Sequence, residues 1–165
     1  MDWKAKAVAA LQGKTIATAE SCTGGGIGEA LTCVCGSSAV FKGGIISYTN
    51  AVKINQFGVD RELLDREGAV SAPVAEAMAS GARKALSADI AVSVTGLAGP
   101  DGDEFGRPVG TVFIGFSSGS RTIAKQFRFE GNREDVRRQA AEAALQLILD
   151  EVRDPTKSSI KNQGE

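Results

Sequence analysis

Histidine is absent from all 165 residues. Without imidazole there is no Ser-His-Asp or Cys-His nucleophile and no histidine-containing metal site, so hydrolytic chemistry must draw its base from lysine or a carboxylate. Long apolar runs are missing too: no stretch approaches the roughly 18 residues of a membrane span. Met1-Asp2-Trp3-Lys4 opens into a mixed, helix-like segment, not a secretory signal. Nor does either charge dominate, with 19 Lys and Arg against 20 Asp and Glu. That balance argues against nucleic-acid or membrane-surface binding through bulk charge. The expectation is a cytoplasmic protein with neither nucleic acid nor membrane as partner. Cysteine is scarce, three residues, and Cys33-Val34-Cys35 has one residue where redox and zinc motifs usually have two. Free thiols, no metal and no cofactor are expected. Nucleotide fingerprints are also lacking: Gly24-Gly25-Gly26 with Gly28 has Glu29 where G-x-G-x-x-G needs its third glycine, and no G-x-x-x-x-G-K-[ST] occurs.

What is present reads as one globular domain over residues 1–153, of ordinary composition at 42% apolar and 24% charged residues. Trp3, Ala7, Val8 and Leu11 mark a helix over 2–12, stopped by Gly13. A strand at 15–19 then delivers the turn Glu20-Ser21-Cys22-Thr23-Gly24-Gly25-Gly26, and a helix follows over 27–35 with Thr23 as its cap. Residues 39–48 read as a glycine-interrupted strand, and Asn50 as the cap of a short helix. Further helices are expected over 60–67 and 71–86, the latter with Pro73 in its first turn. A buried strand at 90–95 leads into a polar loop at 97–107. Strands at 109–116 and 122–129 flank the turn signal Ser117-Ser118-Gly119-Ser120. Asn132 opens a last helix with Val136, Ala140, Ala143, Ala144, Leu147 and Ile148 on one face, and residues 154–165 read as a disordered tail. This alternation predicts an α/β fold, a three-layer α/β/α sandwich whose mixed sheet includes one antiparallel hairpin. Ligands of such sheets sit at the carboxyl ends of strands, so the turns after Ala19 and Thr95 should face one crevice.

Ser21 lies just before a turn whose amides could hold a phosphate, a carboxylate or a developing oxyanion. Its hydroxyl and the amides of Cys22 to Gly25 could address one carbonyl, the geometry of acyl transfer, although a serine in a turn is commonly only a serine. Among candidate bases Lys53 stands out. A lysine accepts a proton near neutrality only when burial or a neighbouring cation lowers its pKa from about 10.4, and spacing alone favours a solvated surface lysine. Thr95-Gly96 offers a hydroxyl and an amide to the same crevice. Arg133, Arg137 and Arg138 crowd the first turns of the last helix, against the macrodipole preference, which suits either a bound anion or solvated charges.

The ordered blocks Ala19-Glu20-Ser21-Cys22-Thr23-Gly24-Gly25, Ser47-Tyr48-Thr49-Asn50 with Lys53, Gly68-Ala69-Val70-Ser71, Thr95-Gly96-Leu97-Ala98-Gly99-Pro100, Pro108-Val109-Gly110-Thr111 and Gly131-Asn132-Arg133 with Arg137 together resemble the CinA carboxyl-terminal domain family, the nicotinamide-nucleotide amidases. The resemblance spans about residues 5–150. It implies hydrolysis of the carboxamide of nicotinamide mononucleotide to nicotinate mononucleotide and ammonia, in pyridine-nucleotide recycling, with a small-molecule substrate and a homo-oligomer left open. It makes Ser21 the nucleophile and Lys53 its base. Tyr48 joins the catalytic set, and Thr23, Gly24, Gly25, Asn50, Thr95 and Gly96 become substrate contacts. Arg137, with Arg133, suits the nucleotide phosphate. The acidic stretch Asp101-Gly102-Asp103-Glu104 departs from the glycine-rich loop of the family, and Cys35-Gly36 stands where proline-glycine is common. The competing classes are a non-catalytic nucleotide-binding regulator and an interaction module of the same fold. The amidase alone requires Ser21 and Lys53 to meet in one pocket.

Overall fold

Large and small side chains alternate along Ile16–Glu20 (β1), Ile90–Gly96 (β3) and, apart from Phe113, Thr111–Ser117 (β4). Successive side chains of a strand point to opposite faces, so such alternation makes a sheet with two unlike sides. In the computed structural model, which describes residues 2–154, Ile16, Val92, Val94, Val112, Ile114 and Phe116 belong to one core cluster. They are covered by Trp3–Ala10 (α1), Gly26–Thr32 (α2) and Arg133–Arg153 (α6). Ala17, Ala19, Ala91, Ser93 and Gly115 make the other side shallow, and the alanine-rich helix Ala72–Ala85 (α5) lies close against it. A Cβ at Gly115 would strike the Ala75 carbonyl and the Ser93 hydroxyl, and that hydroxyl donates to the same carbonyl. Asn50–Phe57 (α3) and Arg61–Glu67 (α4) pack outside on α5, where a Cβ at Gly81 would strike the Phe57 carbonyl. The result is the three-layer α/β/α arrangement. No helix among the described residues is long and apolar enough to cross a membrane.

With Phe41–Ile46 (β2) and Thr122–Arg128 (β5), the sheet order is β2-β1-β3-β4-β5. β1 runs parallel to both its neighbours because helices make those crossovers. No helix separates β3 from β4, so the chain reverses there: β3–β4 is a second antiparallel pair beside the expected β4–β5 hairpin. β2 is shorter than the strand expected over 39–48, since Ser37–Ala39 forms a 3-10 turn and Ser47 already leaves the sheet. Its glycines have local causes. The register skips Lys42 opposite the Ile16–Ala17 step, and a Cβ at Gly44 would overlap the Thr18 hydroxyl. Of the tail expected over 154–165, all but Asp154 lies outside the described residues.

Candidate functional site

β1 ends where three segments meet. Ser21 N donates to the Val94 carbonyl of β3 (3.1 Å), and Ser47 N, just past β2, donates to the Glu20 carbonyl (2.7 Å). Strand alternation then parts two neighbours, sending Glu20 toward α2 and Ser21 toward α3. The buried Glu20 carboxylate accepts from the Thr23 hydroxyl (2.7 Å), the Thr18 hydroxyl (3.2 Å) and the amides of Ile27 (2.9 Å) and Gly28 (3.0 Å). This corrects the expected cap. Gly25, in the left-handed region at φ 103°, occupies the N-cap of α2 with no side-chain bond, and Thr23 serves Glu20 instead. The first amides of α2 are thus filled by the chain's own carboxylate, which also complements the helix dipole.

Lys53 reaches Ser21 from α3. Thr49, not Asn50, caps that helix by accepting from Val52 N (3.4 Å), which leaves Asn50 in the first turn at the cavity. Lys53 is almost fully buried, at 1% exposure. Its Nζ donates to the Ser47 carbonyl and lies 3.1 Å from Ser21 Oγ. Burial lowers its pKa from 10.5 to about 8, with Cys22 acting in the opposite direction. As an ammonium Nζ donates to both oxygens. As an amine it keeps one N–H on the Ser47 carbonyl and turns its lone pair toward the Ser21 hydroxyl, which becomes the donor. The neighbouring Cys22 thiol is pushed up to about 11 by burial, so it stays protonated at neutral pH and does not compete as a nucleophile.

A cavity of about 240 Å³ opens over this pair. Ser21, Cys22 and Lys53 form its floor, Ala69, Val70, Leu97 and Ala98 its apolar walls, and Tyr48, Asn50 and Arg133 its mouth. Thr95 and Gly96 complete it. The Thr95 hydroxyl donates to the Ala69 carbonyl (2.8 Å), tying β3 to the wall. Gly96 lets the two turns approach, since a Cβ there would sit 2.7 Å from Val112 and 3.2 Å from Cys22 Sγ. Arg133 donates to the Gly99 carbonyl (2.6 Å) and the Tyr48 hydroxyl (2.9 Å), and among the described residues it has no carboxylate partner. No Asp or Glu lines the cavity. A larger depression of about 750 Å³ lies at the opposite end of the sheet, lined by Lys14, Arg83, Asp89 and Arg121 and holding neither Ser21 nor Lys53.

Seven of the expected residues therefore converge: Ser21, Lys53, Tyr48, Asn50, Thr95, Gly96 and Arg133. Thr23, Gly24, Gly25 and Arg137 do not line this cavity. Arg137 Nε donates to the Cys22 carbonyl (3.0 Å) and its Nη2 to the Thr23 carbonyl (3.3 Å), so the guanidinium braces the glycine turn from behind. Gly24 is the turn's close approach to it, its Cβ position 3.3 Å from Nη2. Of the acidic loop, Asp101 and Glu104 are exposed while Asp103 is held within the chain: it accepts from Arg107 N (2.9 Å) and Nη1 (3.1 Å), and Arg107 Nη2 reaches the Glu67 carbonyl (2.7 Å). Glu20 and Ser47 were not among the expected site residues. Their only signal was position, a carboxylate closing a run of small apolar residues and a serine opening the segment that carries Lys53.

The model of the CinA C-terminal domain family matches residues 3–152. The nicotinamide-nucleotide amidohydrolase PncC of Pseudomonas putida is 52% identical over 134 residues, 81% of this chain and 84% of that protein. Its namesake in Escherichia coli K12 is 47% identical over 138 residues, 83% of this chain and 84% of that protein. A CinA-like protein of Thermosynechococcus vestitus is 52% identical over 121 residues, 73% of this chain but only 29% of that longer protein. Among solved structures, a competence-damaged protein (CinA) superfamily member from Klebsiella pneumoniae superposes with a TM-score of 0.88 at 32% identity, covering 91% of this chain and 95% of its own. The competence/damage inducible protein CihA of Agrobacterium tumefaciens gives 0.85 at 36% identity, with 91% of this chain and 95% of its own covered.

Proposed function

The chain belongs to the CinA C-terminal domain family, and on that premise we propose that it is a nicotinamide-nucleotide amidase working through Ser21 and Lys53. It hydrolyses the carboxamide of nicotinamide mononucleotide to nicotinate mononucleotide and ammonia, in pyridine-nucleotide recycling. The observation that carries this is the buried Lys53 amine, 3.1 Å from Ser21 Oγ at the floor of a small cavity, in a chain about half identical to proteins named for this activity.

In the first half-reaction the Lys53 amine takes the Ser21 proton as Oγ attacks the carboxamide carbon. The Cys22 amide, which donates to no backbone carbonyl among the described residues, is the donor nearest the nucleophile in sequence for the resulting oxyanion. The Lys53 ammonium, steadied by the Ser47 carbonyl, returns its proton to the leaving nitrogen, ammonia departs, and an ester to Ser21 remains. In the second half-reaction Lys53 deprotonates a water that attacks this ester, and Ser21 leaves with the proton. Arg133, a cation at the mouth held by neutral acceptors only, takes the phosphate, and the apolar walls take the ring. Tyr48 orients Arg133 through its hydroxyl. Arg137 holds the glycine turn in place. The protein works in the cytoplasm, without metal or cofactor.

Ammonia release from nicotinamide, nicotinamide riboside and nicotinamide mononucleotide, each with chelator present, tests the assignment. The mononucleotide is expected to be turned over fastest and chelator to have no effect. No ammonia from the mononucleotide, or activity restored only by one divalent ion, rejects it.

A further inference from the structure

Lys53 is enclosed by groups that bring almost no charge to it. From the β1–α2 turn it faces Ser21 and Cys22, whose thiol is protonated at neutral pH; from the end of β2 it faces the Ser47 carbonyl. The β3 end and the 69–70 and 97–98 walls offer Thr95, Gly96, Ala69, Val70, Leu97 and Ala98, none of which titrates near neutrality. Of the charged or titratable groups at the cavity, Tyr48 and Arg133 stand at the mouth. Glu20, on the opposite side of β1, is engaged by its own four donors. A cation entering the cavity therefore acts on Lys53 with no carboxylate to offset it.

We propose, resting on the amidase reading, that the substrate's own pyridinium charge switches on the base: a ring cation seated against Ser21 drives Lys53 from ammonium to amine. A carboxamide carbon in attack range of Oγ places the ring nitrogen, three bonds further on, about 7 Å from Nζ. Two like charges at that separation, in a medium of effective dielectric near 20, shift a protonation equilibrium on the order of tenfold or more. The amine fraction rises when the productive substrate is bound, and a neutral ring of the same shape lacks this advantage. The cavity thus selects for pyridinium carboxamides by chemistry as well as by fit. The absence of a carboxylate, which a site built only to hold a cation would be expected to supply, is what makes the device work.

The test is calorimetric counting of protons, in buffers of different ionisation enthalpy near pH 8, as Ser21→Ala binds either nicotinamide mononucleotide or the phosphorylated benzamide riboside, whose ring is neutral. Expected is proton release with the mononucleotide, markedly less with the benzamide analogue, and loss of the difference in Ser21→Ala/Lys53→Met. On the intact enzyme, the acidic limb of kcat should lie below that of kcat/KM for the mononucleotide, because the first reports the bound state and the second the free enzyme. Equal proton counts for the two ligands, with coincident limbs in an enzyme that does turn over the mononucleotide, overturn the proposal. Absence of turnover would instead reject the amidase reading beneath it.

Discussion

At the scale of single residues, Ser21 and Lys53 act as one unit. Ser21→Ala and Lys53→Ala should each nearly abolish kcat, and the double variant should be scarcely worse, as measured by single-turnover ammonia release with folding checked by circular dichroism. Lys53→Arg should fail as well, since a guanidinium stays protonated. Lys53 also weakens the fold. Its folded pKa of about 8 lies below the ordinary 10.5, so the unfolded chain binds the extra proton between those values. The penalty is therefore full below pH 8 and is relieved as pH rises toward 10.5. Lys53→Met should gain stability relative to the parent by about 2–3 kcal/mol more at pH 7 than at high pH, read from urea unfolding at both. The pair was legible in the sequence because the lack of histidine left few bases and the family blocks named one. Glu20 and Ser47 were not, since the first acts through burial under α2 and the second through a backbone carbonyl, and neither leaves a spacing pattern. Arg137 was legible as a cation near the site; that it faces carbonyls and not the cavity is decided by the turn folding back on α6.

At the scale of elements, two junctions are packed too closely to tolerate change. Glu20→Gln keeps the shape but turns amide hydrogens toward donors at the start of α2, and should cost about 1–3 kcal/mol of stability by urea denaturation. Gly115→Ala drives a methyl into the Ala75 carbonyl and should cost about 2 kcal/mol or more, whereas Gly119→Ala, with nothing within 4 Å of its Cβ position, should stay within about 0.5 kcal/mol. Element types were readable from periodicity and their limits less so. Thr49 and Asn50 are both good caps, and only the path out of β2 picks the first. Thr23 looked like a cap until a buried carboxylate seven residues before Ile27 claimed its hydroxyl. The second antiparallel pair was hidden because a polar loop of this length can lead either way along a sheet.

At the scale of the whole molecule, the mouth of the cavity is assembled from Tyr48, Asn50 and Arg133, and Arg133 ties it to the far loop through the Tyr48 hydroxyl and the Gly99 carbonyl. Arg133→Ala should raise KM for the mononucleotide about tenfold or more while changing kcat less, because a phosphate contact held alike in ground and transition states is uniform binding. Equal effects on the riboside, which has no phosphate, would contradict that role. The strand order has a further consequence. β2 is an edge strand bound to β1 alone, and it feeds the helix that carries Lys53, whereas Ser21 leaves the next strand in, held on both sides. Nucleophile and base thus belong to regions of unequal mechanical security. Amide hydrogen exchange should reveal β2 and α3 opening well before β1, β3 and β4. Each such excursion would return the lysine to water and to its ordinary proton, so under mild denaturant the enzyme should fall silent while β1, β3 and β4 still hold together.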